Sequence, residues 1–290
     1  MYNYANEKQQ WSQETWNHIH QLVHTEIKAG VAMQVFPLCM VAPTTTVVPA
    51  AIINLQTGGA DEAQCAPLVD IEGNFPLTEQ QAYGPENSST VDSIVTFAAK
   101  LVRLAIDGFN FQGPSISANP LFQRVSFRNG SAIVGLLDAI TQVVQVQPIS
   151  QNPKRYGEDT YDGVADATSI LANNGYEGSN VLVLPTEVYN DANRLPTGDL
   201  ITPLARLKEL ATEGVYPSAM VSPSQILNQP TPSKGFLMSK GLGAVELVVG
   251  IGGKTELVQM TTAGDLFFRI VWRGIHIVRD PQSLVRLEFE

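Results

Sequence analysis

The sequence predicts an α+β fold, with helices in the middle of the chain and strands at its C-terminal end. The longest helical signal is "SSTVDSIVTFAAKLVRLAIDG", whose apolar residues recur at the spacing of one helix face. Strand signals such as "AVELVVGI" and "DLFFRIVWRGIHIV" follow one another from Lys234 to Glu290. The regular alternation of strand and helix that marks a doubly wound parallel sheet is absent.

The first predicted helix begins after Ser12, whose side chain can cap it, and ends at Gly30. Its apolar residues fall on one face: Trp16, Ile19, Val23 and Ile27. The residues before Ser12 include Trp11 but have no pattern of their own. We predict an arm there that becomes ordered only by packing on another surface.

From Val31 to about Thr90 the chain predicts short extended pieces separated by glycine-containing turns. The long helix follows, with Ser89 or Thr90 as its cap and Gly108 just past its end. Its apolar face comprises Val91, Ile94, Val95, Ala98, Leu101, Val102 and Ala105.

Three further helices are predicted after the long helix. They run from Ser131 to about Val144, from about Tyr161 to Asn174, and through Leu204, Leu207 and Leu210. Between the last two lies "GYEGSNVLVLPTEVYNDANR". A dinucleotide site requires its glycines after the strand, but here they precede it, and Pro185 suits the first turn of the next helix. We interpret this stretch as structural.

The charge distribution argues against nucleic-acid recognition and against a membrane span. The chain has 18 basic and 28 acidic residues, a formal charge of -10, and no Lys or Arg between Lys28 and Lys100. The uncharged run from Ala29 to Ala60 contains prolines at every sixth position, which do not suit a spanning helix. The start of the chain lacks the pattern of a signal peptide, so we expect a soluble, cytoplasmic protein without a membrane partner.

No motif predicts a metal, cofactor or catalytic site. His20 and His24 have the spacing of a zincin pair, but Gln21 replaces the glutamate that would act as base. We therefore interpret these histidines as solvent-facing or interface residues. The segment "VVGIGGKT" has Val248 where a phosphate-binding loop needs its first glycine, and we predict a hairpin turn.

Nucleophilic catalysis has no better support. The chain lacks a G-x-S-x-G elbow, and His276 lies between two isoleucines in a predicted strand. Cys39 and Cys65 have no basic neighbour in sequence to lower a thiol pKa, so we interpret both as packing residues. The expectation is a protein that is not an enzyme.

The order of these segments resembles encapsulins and the encapsulin-like major capsid proteins of tailed phages. The segments that carry the resemblance are "SQETWNHIHQLVHTEIK", "CAPLVDIEGNFPLTEQQ", "VDSIVTFAAKLVRLAIDGFNFQG", "ANNGYEGSNVLVLPTEVYNDANR", "TPLARLKELATEGVYPS" and "FRIVWRGIHIVRDPQSLVRLEF". Both groups build shells with the Hong Kong 97 capsid fold. The resemblance covers most of the chain and consists of order and pattern.

The resemblance implies a division into an arm, a loop and two domains. Residues 1–30 would form the N-terminal arm and helix, and residues 49–90 the extension loop that reaches a neighbouring subunit. A peripheral domain containing the long spine helix would comprise 31–48, 91–150 and 255–290, and an axial domain 151–254. Some shells of this fold are locked by a bond between a loop lysine and a neighbour's asparagine, but residues 49–89 contain no lysine.

The implied function is that of a structural shell subunit, foremost a phage major capsid protein in the virion. Partners would be copies of itself in pentamers and hexamers, packaged DNA held without sequence recognition, and portal, scaffold or cement proteins. The alternative is a cytoplasmic encapsulin that packages a cargo enzyme. The region 113–153 and the loop 58–64 depart from typical encapsulins and favour the phage capsid. A third possibility is a soluble enzyme whose site carries no recognisable motif.

The candidate contact surface lies on the arm and first helix. We expect five apolar residues there to contact a neighbouring subunit or cargo: Trp11, Trp16, Ile19, Val23 and Ile27. Deletion up to Gly30 is then expected to leave a soluble, partly folded subunit that assembles poorly.

Overall fold

The computed structural model has an α+β architecture built on two five-stranded sheets, as predicted. It describes residues 11–54, 59–61, 64–83, 88–151, 154–196, 200–222, 233–240, 243–262 and 265–290. Within these residues the helices are α1 (Gln13–Lys28), α2 (Val31–Val35), α3 (Glu79–Tyr83), α4 (Ser88–Gln112), α5 (Leu136–Ala139), α6 (Gly157–Asn173), α7 (Thr186–Ala192) and α8 (Pro203–Leu210).

The strands of the described residues fall into two sheets and three short pairs. They are β1 (Leu38–Met40), β2 (Val47–Pro49), β3 (Ile52–Asn54), β4 (Gly59–Asp61), β5 (Cys65–Pro67), β6 (Val69–Leu77), β7 (Val125–Arg128), β8 (Val143–Val146), β9 (Ser150–Gln151), β10 (Lys154–Arg155), β11 (Asn180–Pro185), β12 (Val215–Ser218), β13 (Ser233–Ser239), β14 (Val245–Met260), β15 (Leu266–Val278) and β16 (Leu284–Phe289). The first sheet has the order β1-β14-β15-β6-β7 and the second β12-β11-β13-β16-β8.

Helices α1 and α4 cover the inner face of the first sheet. Alternate residues of β6 and β15 point into this core, among them Ile71, Phe75 and Trp272. The approach of α4 is close, since a Cβ placed on Gly73 of β6 would lie 2.4 Å from Cγ2 of Val102. The pairs Glu26–Arg103 and His18–Asp92 join α1 to α4 along their length.

The second sheet is buried on both faces, as its near-continuous apolar strands suggest. Val181 and Val183 of β11 contribute to the same core as α4. Leu182 and Leu184 point to the opposite face, where α6, α7 and α8 enclose a second core. Because successive side chains of a strand point to opposite faces, the second sheet lies between the two cores and contributes side chains to both.

Helix α4 is longer than predicted and does not end at Gly108. A Cβ on Gly108 would lie 2.6 Å from Cγ1 of Ile116, so this glycine permits close packing inside the helix. The helix ends at Gln112, and Gly113 follows it with φ +72°, a conformation that favours glycine.

The helix predicted from Ser131 to about Val144 is wrong over most of its length. Only α5 forms, after Gly135, and β8 follows from Val143. A Cβ on Gly135 would lie 2.3 Å from the carbonyl carbon of Gln112, so the chain passes against the end of α4 here. The β-branched residues of β8 instead pair in parallel with β16.

Other local predictions are confirmed. The Ser12 hydroxyl accepts a hydrogen bond from the backbone N–H of Thr15 at 3.1 Å, as a helix cap does. Gly175 ends α6 with φ +87°, and Pro185 precedes the first turn of α7. The helix predicted through Leu207 is α8, which the Thr202 side chain caps. The domain boundaries stay a prediction. Strand pairing places Val245–Met260 in the first sheet and Leu284–Phe289 in the second.

A buried carboxylate joins α4 to the start of α2. Oδ1 and Oδ2 of Asp107 accept hydrogen bonds from the backbone N–H groups of Ala32 and Val31 at 2.8 and 3.1 Å. Burial raises the pKa of Asp107 to about 6, although these hydrogen bonds and Arg103 oppose the rise. The folded state therefore binds this proton more tightly than the unfolded chain.

We expect Asp107 to make folding less favourable as pH rises through its pKa. Between the unfolded value of 3.8 and the folded value of about 6, the folded state retains the proton, so this contribution favours folding at pH 4 and is lost by pH 7. Relative to Asp107→Asn, the free energy of unfolding of the wild type should rise by about 2 kcal/mol on going from pH 7 to pH 4. Urea unfolding of both proteins across this range measures the difference. The exposed Glu209→Gln is the control, and a pH-independent difference between wild type and Asp107→Asn contradicts the prediction.

Candidate functional site

The histidines of α1 do not form a metal site in the structure. Nε2 of His18 lies 3.0 Å from a carboxylate oxygen of Asp92, and Nε2 of His20 lies 3.2 Å from the carbonyl oxygen of Thr255. His24 is exposed. Among the described residues, no group of three or more His, Cys, Asp or Glu side chains could hold a metal ion. No described helix is long and apolar enough to cross a membrane.

The segment "VVGIGGKT" is not a hairpin turn, and this prediction was wrong. Strand β14 runs straight through it, with shifts of register between Val249 and Ile251 and again between Ile251 and Lys254. Gly253 has φ +117°, and a Cβ there would lie 2.7 Å from Cδ1 of Ile27. The glycines therefore make bulges that let α1 pack directly on the strand.

His276 is buried beneath α4 as part of the core. Its backbone N–H donates to Oδ1 of Asn110 at 3.0 Å, and its Nδ1 lies 3.1 Å from the same oxygen. Burial lowers the pKa of His276 to about 4, so the imidazole is neutral at physiological pH. Its contacts are those of a core residue.

The two cysteines are free thiols in different surroundings. Cys39 is half-buried on β1 and packs against the first core, as predicted. Cys65 lies exposed on β5, so the prediction that it is a packing residue was wrong.

The apolar face of α1 packs against the chain itself, which corrects the expectation of a contact surface there. Ile19, Val23 and Ile27 are at most 1% exposed and belong to the first core. They face the chain's own core because α1 lies against α4 and β14. These three side chains are not available to a neighbouring subunit in this fold.

Trp11 and Trp16 are the members of the predicted surface that stay partly exposed. The Trp11 ring stacks on Phe268 with ring centres 4.9 Å apart, and its Nε1 donates to the carbonyl oxygen of Ala82 at 3.2 Å. The ring centres of Trp16 and Trp11 are 5.1 Å apart. The two rings close one end of the first core, and their contact with a neighbour remains a prediction.

The segment between β1 and β6 forms a two-stranded ribbon, which we define as residues 47–67. Strand β2 pairs with β5 and, further out, β3 pairs with β4, all antiparallel. Within the described residues these strands join neither five-stranded sheet. Val48 is buried and Val47 is half exposed at the inner end. Residues 49–67 of the ribbon lie within the predicted extension loop, whereas Val69–Leu77 of that loop belongs to the first sheet.

Arg273 lies at the root of the ribbon. Its Nε and one terminal nitrogen donate to the two carboxylate oxygens of Asp70 at 2.5 and 3.0 Å. Its other terminal nitrogen donates to the carbonyl oxygen of Pro43 at 2.9 Å. The guanidinium thus joins the segment that leaves the sheet to the strand that returns. Nothing in the spacing of these residues along the chain predicts this contact.

A groove of about 590 Å³ lies beside α4 on the first sheet's side of the molecule. Ile94, Phe97 and Leu101 line it at helical spacing, on a different face of α4 from Asp92 and Arg103, which contact α1. The Phe97 side chain is 63% exposed. An exposed aromatic residue in an apolar groove is typical of a surface that contacts another molecule.

No protein-family model matches the sequence, and no curated protein matches it. Solved structures do match. The virus-like particle from Pyrococcus furiosus has a TM-score of 0.66 and 13% identity, covering 95% of this chain and 100% of that one. Mycobacterium phage Bobi has a TM-score of 0.59 and 14% identity, with 100% and 95% covered.

A third match is the SrpI encapsulin complex from Synechococcus elongatus. Its TM-score is 0.57 at 9% identity, with 88% of this chain and 85% of that chain covered. At these identities the likeness concerns the fold. The chain has the fold of these shell proteins, which is the Hong Kong 97-type capsid fold predicted from the order of its segments.

Proposed function

We propose that this chain is a structural shell subunit that self-assembles into an icosahedral particle, and that it is a phage major capsid protein enclosing the viral genome. The observation that carries the proposal is the extent of the likeness. A phage structure matches over all of this chain and nearly all of its own. The likeness therefore involves a whole subunit rather than one shared domain.

Features of this chain support a role in assembly. The outer part of the ribbon pairs only within itself in the described residues, and isolated two-stranded ribbons are marginally stable in water. A neighbouring copy would supply the missing partner. The groove lined by Phe97 is a second surface that a neighbouring copy would cover. The formal charge of -10 is compatible with a shell that encloses DNA without sequence recognition, and it does not separate a phage capsid from an encapsulin.

An encapsulin is the second candidate, in which case the shell is cytoplasmic and holds a cargo enzyme. The observation in its favour is the match to an encapsulin complex, which covers 88% of this chain and 85% of that chain. Gene neighbours separate the two candidates. Portal and terminase genes beside this one support the phage capsid, whereas a ferritin-like or peroxidase gene supports the encapsulin.

Negative-stain electron microscopy of the purified protein tests the shell itself. We expect closed particles of uniform size, and light scattering of the same sample should report a mass of many subunits. Small discrete oligomers at every protein and salt concentration would overturn the shell proposal for both candidates.

The mature shell should contain no covalent cross-link between subunits. The ribbon and the rest of residues 49–89 contain no lysine, so the amine that cross-links some shells of this fold is missing from the loop. Particles boiled in detergent and reducing agent should run as one band near 31.4 kDa. A ladder of multimers that survives this treatment would refute the prediction.

A further inference from the structure

We infer that Arg273 acts as a clamp that fixes the direction in which the ribbon leaves the subunit, and that this direction selects the shell that the subunits close into. The second part of the inference rests on the proposed function. The first part concerns the isolated chain and rests on the geometry of the ribbon root.

The ribbon root has to bridge two strands that are not neighbours. The chain leaves the first sheet from β1 and returns to it at β6, and the order β1-β14-β15-β6 places two strands between them. At the usual spacing of strands the two ends are about 14 Å apart. The outgoing segment must therefore cross the sheet before it can pair with the returning one.

The crossing takes place above a bulge in β14. A Cβ placed on Gly250 would lie 3.4 to 3.6 Å from atoms of Leu68, Arg273 and Ala42. Ala42 belongs to the outgoing segment and Leu68 to the returning one. Beyond this point the backbone N–H of Leu68 donates to the carbonyl oxygen of Thr46 at 2.8 Å, and the ribbon begins.

Arg273 is placed between the two segments by strand pairing. On β15 it lies directly opposite Asp70 of β6, and its guanidinium donates to both carboxylate oxygens of that residue. The remaining terminal nitrogen reaches Pro43 in the outgoing segment. The side chains of Arg273 and Asp70 are 21% and 12% exposed, so solvent screens the pair only partly.

The hydrogen bonds of Arg273 depend on the orientation of the ribbon, whereas the apolar packing around them does not. Val48 and Leu68 are buried near the root, and apolar burial depends on area rather than on angle. A planar guanidinium with three occupied donors fixes both distance and orientation. Because the outer strands join neither sheet in the described residues, a small rotation at the root would displace the far end of the ribbon.

Spin-label distances measure the direction of the ribbon. One label is attached to Cys65, the exposed thiol on β5, and the other to Lys100→Cys on the exposed side of α4, with Cys39→Ser to remove the second native thiol. Labelled chains are diluted with unlabelled chains of the same variant so that each distance lies within one subunit. Electron microscopy of unlabelled protein gives the size distribution of the shells.

Arg273→Lys is the main variant, because lysine keeps the charge but cannot reach Asp70 and Pro43 with a fixed fork. Asp70→Asn is the second, which removes the ion pair from the other side. Arg269→Lys is the matched control. Arg269 lies on the same strand and also bridges carboxylates, those of Glu72 on β6 and Glu256 on β14, but in the described residues no hydrogen bond or ion pair joins it to the outgoing segment.

We expect one narrow distance for the wild type and Arg269→Lys, and a broadened or displaced distribution for Arg273→Lys and Asp70→Asn. The two root variants should give shells of mixed size or open assemblies. Unchanged distances in both root variants would overturn the clamp. Altered distances with shells of wild-type size and yield would overturn the selection of the shell. If the wild type forms no shells, the proposed function fails, and the distances alone decide the clamp.

Discussion

Replacing Val23 with aspartate is expected to unfold the subunit. Val23 is fully buried where α1 packs against α4 and β14, and the bulge at Gly253 brings the strand against it. A carboxylate at this position would have no partner, and burial of an unpaired charge costs several kcal/mol. Domains are stable by about 5–15 kcal/mol, so this single change removes most of the margin.

His24→Asp is the matched control for this prediction. His24 is the next residue of the same helix and is exposed, so the same new charge there should leave the fold intact. Soluble yield and the far-ultraviolet circular dichroism of both variants provide the measurement. A Val23→Asp subunit that melts within a few degrees of the wild type would show that α1 is dispensable to the core.

The same burial changes what is expected of a larger deletion. Removing the chain up to Gly30 takes away three fully buried side chains, those of Ile19, Val23 and Ile27. The remaining chain should fail to fold, rather than stay soluble and assemble poorly. An apolar helical stripe in a sequence indicates burial, but it does not tell whether the partner surface lies in the same subunit or in the next.

Local signals predicted most of the secondary structure because they depend on residues close together in the chain. The cap at Ser12 and the glycine stop at Gly175 depend on contacts within a few residues. The strands after Ser233 follow from alternating and β-branched residues. The order of such segments was sufficient to identify the Hong Kong 97-type fold.

Two of the predictions that were wrong concern glycines that pack closely against another segment of the chain. Gly108 reads as a helix stop, yet it lies inside α4 because Ile116 packs on it. The glycines at 252 and 253 read as a turn, yet they form bulges because α1 lies against β14. A glycine marks either a sharp change of direction or a close approach, and only the packed structure distinguishes them.

The root of the ribbon could be predicted only in part. Charged residues alternate with apolar ones in "VDIEGN" and "FRIVWRG", which indicates strands with one charged face. That pattern places Asp70 and Glu72 on one face of their strand, and Arg269 and Arg273 on one face of theirs. It does not predict that Arg273 also reaches Pro43, since 230 residues separate the two and a loop backbone oxygen carries no sequence signal.

Shortening the ribbon is expected to abolish assembly while the subunit stays folded. Antiparallel pairing extends outward from the root to the backbone N–H of Ala50, which donates to the carbonyl oxygen of Gln64 at 2.8 Å. Replacing residues 51–63 with Asn-Gly closes a hairpin at that pair, because a two-residue turn of this sequence suits an antiparallel ribbon. The buried root, including Val48 and Leu68, is retained.

The expected separation of folding from assembly follows from where each part of the chain is buried. The deleted strands β3 and β4 pair only with each other in the described residues and lie beyond the buried root, so the melting temperature should change by only a few degrees. A shell subunit engages several neighbours at once, and loss of one arm from every copy weakens all these contacts together. Size-exclusion chromatography with light scattering should therefore find small species, and microscopy no shells.

The Cys39→Ser, Cys65→Ser double variant keeps the full ribbon and should assemble normally under reducing conditions. Shells of wild-type size and yield from the shortened chain would mean that the ribbon plays no part in assembly.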